Sequence, residues 1–528
     1  MNANSWTIGR VLSCVIILSL GEAQAAPAIV TESGPLEGIT SPGINQFLGI
    51  PYAKPPLGDM RWTPPRPYGR WPGVRDATQF GSPCSQPGPY GNEDCLTLNV
   101  YTPGLKKVKN QDKDDSLPVM VWIHGGALVT GESDIYDPTP LVEKGGVIVV
   151  TINYRLGVLG FFAHPALDAE GHLFANYGLL DQQFALRWVR RNIAAFGGDP
   201  KRVTIFGESA GGRSVYSNLA SPTAAGLFQG AIAESGAYDA FQDYFSSNLP
   251  LATAEAEGTA FAASIGCGNQ TAQCLRATSA WTPVNAQPSY RIPIVDGTVL
   301  TQTLESAFAS GQFNRVPVIS GGNHDEDRLF VPYYLMDADY PAVTADYLGP
   351  AWLGLPVTDP FVKFIVNVAY PLSNYPAPPG VQSAPLALGA SLTDSEFACP
   401  ERNSVRLLAQ YVPTYAYEFN DENAPVPWFF QGASFPLGAY HSAEIEYLFN
   451  WTGVAAPFTA DQQQLSDTMI AYWTQFAASR DPNLRSAPHW SRYSVRTDEF
   501  QSLVPPTPAV ESNFGAVHQC SSLWNNAF

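Results

Sequence analysis

Four short runs of apolar, largely β-branched residues recur along the chain: VMVWIH from Val119, VIVVTINY from Val147, VTIF from Val203 and VPVIS from Val316. Runs this short and this apolar fit strands buried on both faces, and segments with helical spacing lie between them. The clearest of these, GLLDQQFALRWVRRNIAAF from Gly178, places Leu180, Phe184, Trp188, Ile193 and Phe196 at helical intervals, and Gly197-Gly198 then ends it. Strands alternating with helices predict an α/β fold, a mostly parallel sheet with helices on both faces. Ligands of such a sheet bind outside the carboxyl ends of its strands. At 45% hydrophobic and 14% charged, the 528 residues hold ample material for a large core. No repeat and no long linker divides them, so residues 26–528 are expected to form one domain. The mixed-charge KKVKNQDKDD from Lys106 reads as a solvated loop, and the Pro- and aromatic-rich stretch from Phe330 to Pro400 as an irregular helical insertion.

One strand end carries a reactive pattern. VTIF runs into GESAGG, so Ser209 stands in a GxSxG frame directly after a strand, where flanking glycines allow a sharp turn that exposes the hydroxyl. A serine nucleophile needs a base, and a carboxylate to orient that base. Among the seven histidines, His441 in LGAYHSAEIEYLF sits in a glycine-containing loop that can project an imidazole into a cleft. His324, in GGNHDED, is the weaker candidate. The same GGNHDED follows the run VPVIS and offers Asp325 or Glu326 as the acid, giving the chain order serine, acid, histidine of an α/β-hydrolase. Donors for an oxyanion are also required. His124-Gly125-Gly126-Ala127 follows VMVWI, and its small residues let backbone N–H groups approach a substrate oxygen together with that of Ala210. Each such donor is worth about 2.7–4 kcal/mol.

The formal net charge is −18, and it does not change without residues 1–25, where Arg10 and Glu22 cancel. A surface this acidic repels phosphate backbones and anionic lipid, which argues against nucleic-acid or membrane partners. The N-terminus reads as a secretory signal: the apolar VLSCVIILSL leads to Ala23-Gln24-Ala25, an A-x-A cleavage pattern. That run is well short of the roughly 20 residues that span a bilayer. A secreted or periplasmic destination makes disulfides the expected state of Cys84, Cys95, Cys267, Cys274, Cys399 and Cys520. Close spacing favours Cys84 with Cys95 and Cys267 with Cys274, leaving Cys399 with Cys520. None lies in a CxxC pair or beside a histidine, so a cysteine-held zinc is not expected.

From about Pro35 onward the chain carries FLGIPYAKPPLGDMRW, EDCLTLNVYTP, NYRLGVLGFF, NYGLLDQQFALRWVRRNIAAFGGDPKRVTIFGESAGG, SPTAAGLFQGAIAESG and HSAEIEYLF. This series resembles the carboxylesterase/cholinesterase family of α/β-hydrolases. The resemblance implies Ser209 as nucleophile, Glu326 as acid, His441 as base, and Gly126, Ala127 and Ala210 as oxyanion donors. Glu208, Ser235 and Glu444 match the family's supporting polar network, and its local disulfides match Cys84 with Cys95 and Cys267 with Cys274. Two turns depart from the pattern: Ala127 replaces a third glycine, and Asp327 follows the acid where glycine is usual. The loop CSQPGPYGNEDC between Cys84 and Cys95 is short and holds no Trp to bind a quaternary ammonium, so cholinesterase activity is not expected. The expected function is a serine carboxylesterase that takes a small-molecule ester through an acyl-enzyme, with no metal or cofactor. A polyester hydrolase, lipase or amidase shares these parts, and a non-catalytic adhesion protein shares the fold. Activity is expected to rise as His441 loses its proton near the unperturbed value of about 6.5.

Overall fold

A computed structural model of the chain describes residues 26–41, 43–104, 116–172, 175–238, 248–288, 291–346, 349, 355–427, 430, 432–451 and 457–524. The signal segment expected over residues 1–25 lies outside them, as does the whole charged loop from Lys106. Eleven strands form the main sheet. In chain order they are β1 (Ile39–Ser41), β2 (Ile44–Pro51), β3 (Thr97–Pro103), β4 (Leu117–Ile123), β5 (Ile148–Ile152), β6 (Gly198–Glu208), β7 (Gly230–Glu234), β8 (Val318–Asn323), β9 (Thr414–Phe419), β10 (Phe500–Leu503) and β11 (Ala509–Glu511). Their spatial order is β11-β10-β9-β8-β7-β6-β4-β5-β3-β2-β1. Neighbours from β10 through to β5 run parallel, whereas β3, β2 and β1 at one edge and β11 at the other run antiparallel.

The apolar runs of the sequence supply the centre of this sheet, and their two-residue period sorts them between two cores. Met120, Trp122, Phe206, Ile232 and Ile319 face one core, shared with Trp473 and Phe476. Val119, Val121, Ile123, Val203, Ile205, Ala231, Ala233 and Val318 face the other, shared with Trp188, Val215 and Leu219. The covering helices include α1 (Tyr177–Asn192), α2 (Ala210–Ala220), α3 (Ala384–Leu392), α4 (Cys399–Leu408) and α5 (Ala460–Ser479). The segment expected to be helical from Gly178 to Phe196 is α-helical only as far as Asn192. Ile193–Phe196 tightens into a 3₁₀ turn, which Gly197 ends at φ 91°. The described part of the Phe330–Pro400 stretch is helical and irregular, with π-helical turns at Ile365–Ala369 and Thr393–Ala398. Cys84–Cys95, Cys267–Cys274 and Cys399–Cys520 are bonded, with Cα separations of 4.9, 5.7 and 5.2 Å. Among the described residues no helix is long and apolar enough to cross a membrane.

Candidate active site

β6 ends at Glu208 and α2 begins at Ala210, so the whole change of direction falls on Ser209, at φ 56° and ψ −123°. A non-glycine residue at positive φ is strained, and such strain persists only where the surroundings enforce it. The glycines on either side explain how the turn fits. A Cβ on Gly207 would lie 2.4 Å from the Ile123 carbonyl oxygen, and one on Gly211 only 1.9 Å from it. Sheet register supplies the next component. Gly207 pairs with Ile123, which brings Gly125 level with Ser209, and a Cβ on Gly125 would come within 3.2 Å of the Ser209 Cβ. Gly126, Ala127 and Leu128 then take φ values of 99°, 54° and 58°. Their carbonyls are tied away: Gly126 O accepts from Val129 and Thr130, Ala127 O from Arg291, and Leu128 O from Gly157. No described residue accepts from the N–H of Gly126 or Ala127. Ala210 opens α2, so its N–H has no acceptor one turn back along the helix.

The loop closed by Cys84–Cys95 packs against the end of this turn. Gln86 donates to Gly131 O at 3.1 Å and accepts from Gly131 N at 3.0 Å. The loop does present one partly exposed aromatic ring, Tyr90, whose hydroxyl donates to Glu132 at 2.7 Å.

His441 is buried, with Nδ1 2.5 Å from Glu326 Oε2 and Nε2 3.1 Å from Glu208 Oε1. Glu208 directly precedes Ser209, so Nε2 stands at the elbow. Glu326 Oε1 accepts from Ser235 Oγ at 2.5 Å and from Asn323 N at 2.8 Å. Asn323 also donates to Glu444 Oε2 at 2.5 Å. Ser235 comes from the end of β7 and Asn323 from the end of β8, neighbouring parallel strands whose register sets Glu234 beside Gly321. Asp325, the other acid offered by the sequence, is engaged elsewhere: it pairs with Arg328 at 2.8 Å and with His324 at 3.1 Å, and accepts from Ala439 N. His324 is thus a neighbour of Asp325 and not the imidazole on Glu326.

Residues 25–517 match the family model described as "Carboxylesterase family". The chain belongs to the carboxylesterase family. It is 34% identical to a cocaine esterase of Homo sapiens over 94% of this chain and 92% of that one. It is 35% identical to a para-nitrobenzyl esterase of Bacillus subtilis, over 89% and 93% respectively. A solved PNB esterase superposes with a TM-score of 0.74 at 32% identity, covering 93% of this chain and 98% of its own. The fold is that of the α/β-hydrolases, and the protein is an esterase that hydrolyses carboxylic esters.

The carboxylesterase site is unusually rich in buried carboxyls, and burial is the first cause acting on each. Burial raises Glu208 to about 7, with Glu326 adding to the rise and His441 opposing it. Burial pushes Glu444 well above the carboxylate range, helped by Glu208 and Glu326. Glu234, which receives the Trp473 indole N–H at 3.0 Å, is raised to about 8. Burial thus favours the protonated form of both Glu234 and Glu444. Burial pulls His441 down, but Glu208 and Glu326 outweigh it and hold the imidazole above its ordinary value. The titration expected near 6.5 moves upward for that reason. Sequence reasoning missed Glu234 and Phe397, and it pointed to the stretch FVPYYLMDADY as pocket-forming without singling out its first residue, Phe330; the Phe330 and Phe397 rings lie 5.1 and 5.2 Å from the imidazole. Neither ring belongs to a short motif that would have marked it.

Proposed function

We propose that Ser209 is the nucleophile, His441 its general base, and Glu326 the carboxylate that orients the imidazole. Gly126, Ala127 and Ala210 supply the oxyanion donors, while Glu208, Ser235 and Glu444 support the acid and base. The observation that carries this reading is the 2.5 Å contact of His441 Nδ1 with Glu326, which directs Nε2 to the residue beside Ser209. Ser209 Oγ attacks the ester carbonyl carbon as its proton passes to His441 Nε2. The carbonyl oxygen gathers negative charge against the three N–H groups. When the tetrahedral species collapses, His441 protonates the departing alcohol, and the acyl group stays on Ser209. Water, deprotonated by the same imidazole, then attacks the acyl-enzyme and releases the acid. No cofactor enters any step.

Substrates are uncharged esters of short to medium acids. The net charge of −18 offers nothing to anionic surfaces, and the Cys84–Cys95 loop contains no Trp to hold a quaternary ammonium. The mature chain begins near Ala26 as one exported domain, in keeping with three disulfides. The deciding experiment treats wild type and Ser209→Ala with a fluorescent organophosphonate. Labelling is expected in wild type alone, and labelling that survives the substitution refutes Ser209. A panel varying acyl and alcohol portions separately then distinguishes this esterase from a lipase, polyester hydrolase or amidase. A protein with no turnover on any ester would be the adhesion type.

A further inference from the structure

The turn that presents Glu326 has a second occupant. His324, Glu418 and His518 each bring a ligand atom to within 4.8 Å of the others. They come from segments far apart in sequence: the exit of β8, the body of β9, and the residue after the short helix Phe514–Val517. Each imidazole is held at Nδ1 by an aspartate, His518 by Asp394 at 2.6 Å and His324 by Asp325 at 3.1 Å. That leaves Nε2 as the ligand nitrogen of each ring, and His518 Nε2 already meets Glu418 Oε1. Glu511, at the end of β11, lies beside Glu418 at the edge of this group. Its carboxyl lies in hydrogen-bonding contact with that of Glu418, while Glu511 Oε2 is buried without a hydrogen-bond donor. Two carboxylates in contact need a shared proton or a cation between them.

We propose that His324, His518 and Glu418 form a site for a divalent transition metal of the zinc type. Two imidazole nitrogens and one carboxylate oxygen, with water in the fourth position, suit zinc in tetrahedral coordination. An aspartate on the remote nitrogen of each ring is the arrangement that fixes tautomer and ring orientation for a metal-binding histidine. Glu418 and His518 are almost wholly buried, whereas His324 and Glu511 are partly exposed and open a path for the ion. A metal there would fasten β9 and the segment carrying His518 to the turn His324–Glu326. It would act on the acid of the triad as a clamp, without touching substrate.

The test uses the full-length mature enzyme, stripped with dipicolinate and dialysed against micromolar zinc sulfate, with bound metal measured by mass spectrometry. One zinc per chain is expected for wild type and none for His324→Asn. Asp394→Asn should weaken binding by about 10–100-fold. Zinc should also raise the Tm of the stripped wild type in a concentration-dependent way. If His324→Asn does not fold, His324→Gln at the same partly exposed position gives the same reading. Failure of wild type to take up zinc, or equal uptake by the variant, overturns the site. His518 would then be an imidazolium paired with Asp394 and Glu418.

Discussion

His441 and His518 are both buried imidazoles clasped between two carboxylates, Glu326 and Glu208 for the first, Asp394 and Glu418 for the second. Their remaining surroundings differ. His441 has two aromatic rings over it and a half-buried serine turn beside it, and the carboxylate at its Nε2 belongs to the residue preceding that serine. His518 packs on Phe514, with ring centroids 4.6 Å apart, and its other neighbour is a second imidazole, His324, at 5.3 Å. A bracket of carboxylates thus holds an imidazole equally well for proton transfer or for cross-linking. The third neighbour decides which: a hydroxyl at a strained elbow in one place, further ligand atoms in the other.

The sharpest break between the two is expected from their own removal. His441→Ala should lower kcat by roughly 10⁴-fold or more while leaving the denaturation midpoint little changed. His518→Gln leaves Glu418 and Asp394 buried without their partner, so its loss should appear first as about 3–5 kcal/mol of stability in urea unfolding. Similar kinetic losses in both variants would erase the distinction. Next in size is the acid. Glu326→Gln should cost on the order of 10⁴ in kcat, because the amide no longer favours the productive tautomer. Asp325→Asn, which loosens the pairs with Arg328 and His324, should cost under about tenfold. A reversed ranking would transfer the acid role to Asp325.

A smaller effect concerns pH. The base works only as neutral imidazole, and Glu208 and Glu326 hold its proton on, so kcat/KM should be low in acid and rise through a midpoint above the free value of about 6.5. Glu208→Gln removes one of those charges and should move the midpoint down. A midpoint that stays put in this variant would show that Glu208 carries no charge at the working pH. The smallest effect belongs to the oxyanion turn. Ala127 holds φ 54° without being glycine, so Ala127→Gly should relieve strain and raise stability by roughly 1 kcal/mol, with ester turnover retained.

The elbow, the glycine turn and the sheet centre were legible because each is written in contiguous residues. GESAGG can be read in place, and so can a strand whose side chains alternate between two cores. The choice between Asp325 and Glu326 could not be read from those residues alone. They are adjacent, and what separates them is the 3₁₀ turn from Glu326 to Leu329, which sends one carboxyl to His441 and the other to Arg328. The carboxyl cluster at the site was only partly legible, since Glu234 ends a strand that looks like plain core and Phe397 lies in an irregular helix. The same limit hid the group around His518. Its members at positions 324, 394, 418, 511 and 518 meet only after β8, β9 and β11 have taken their places in the sheet.

The small clasp between Gln86 and Gly131 joins a crosslinked loop to the turn that would receive the substrate's oxygen. A chain retained in a reducing cytosol could assemble the sheet and the serine elbow, yet the backing of that turn would hang on an open, untethered loop. Crosslink and turn are thereby coupled: the bond that closes Cys84 to Cys95 also braces the backbone from Gly126 to Gly131.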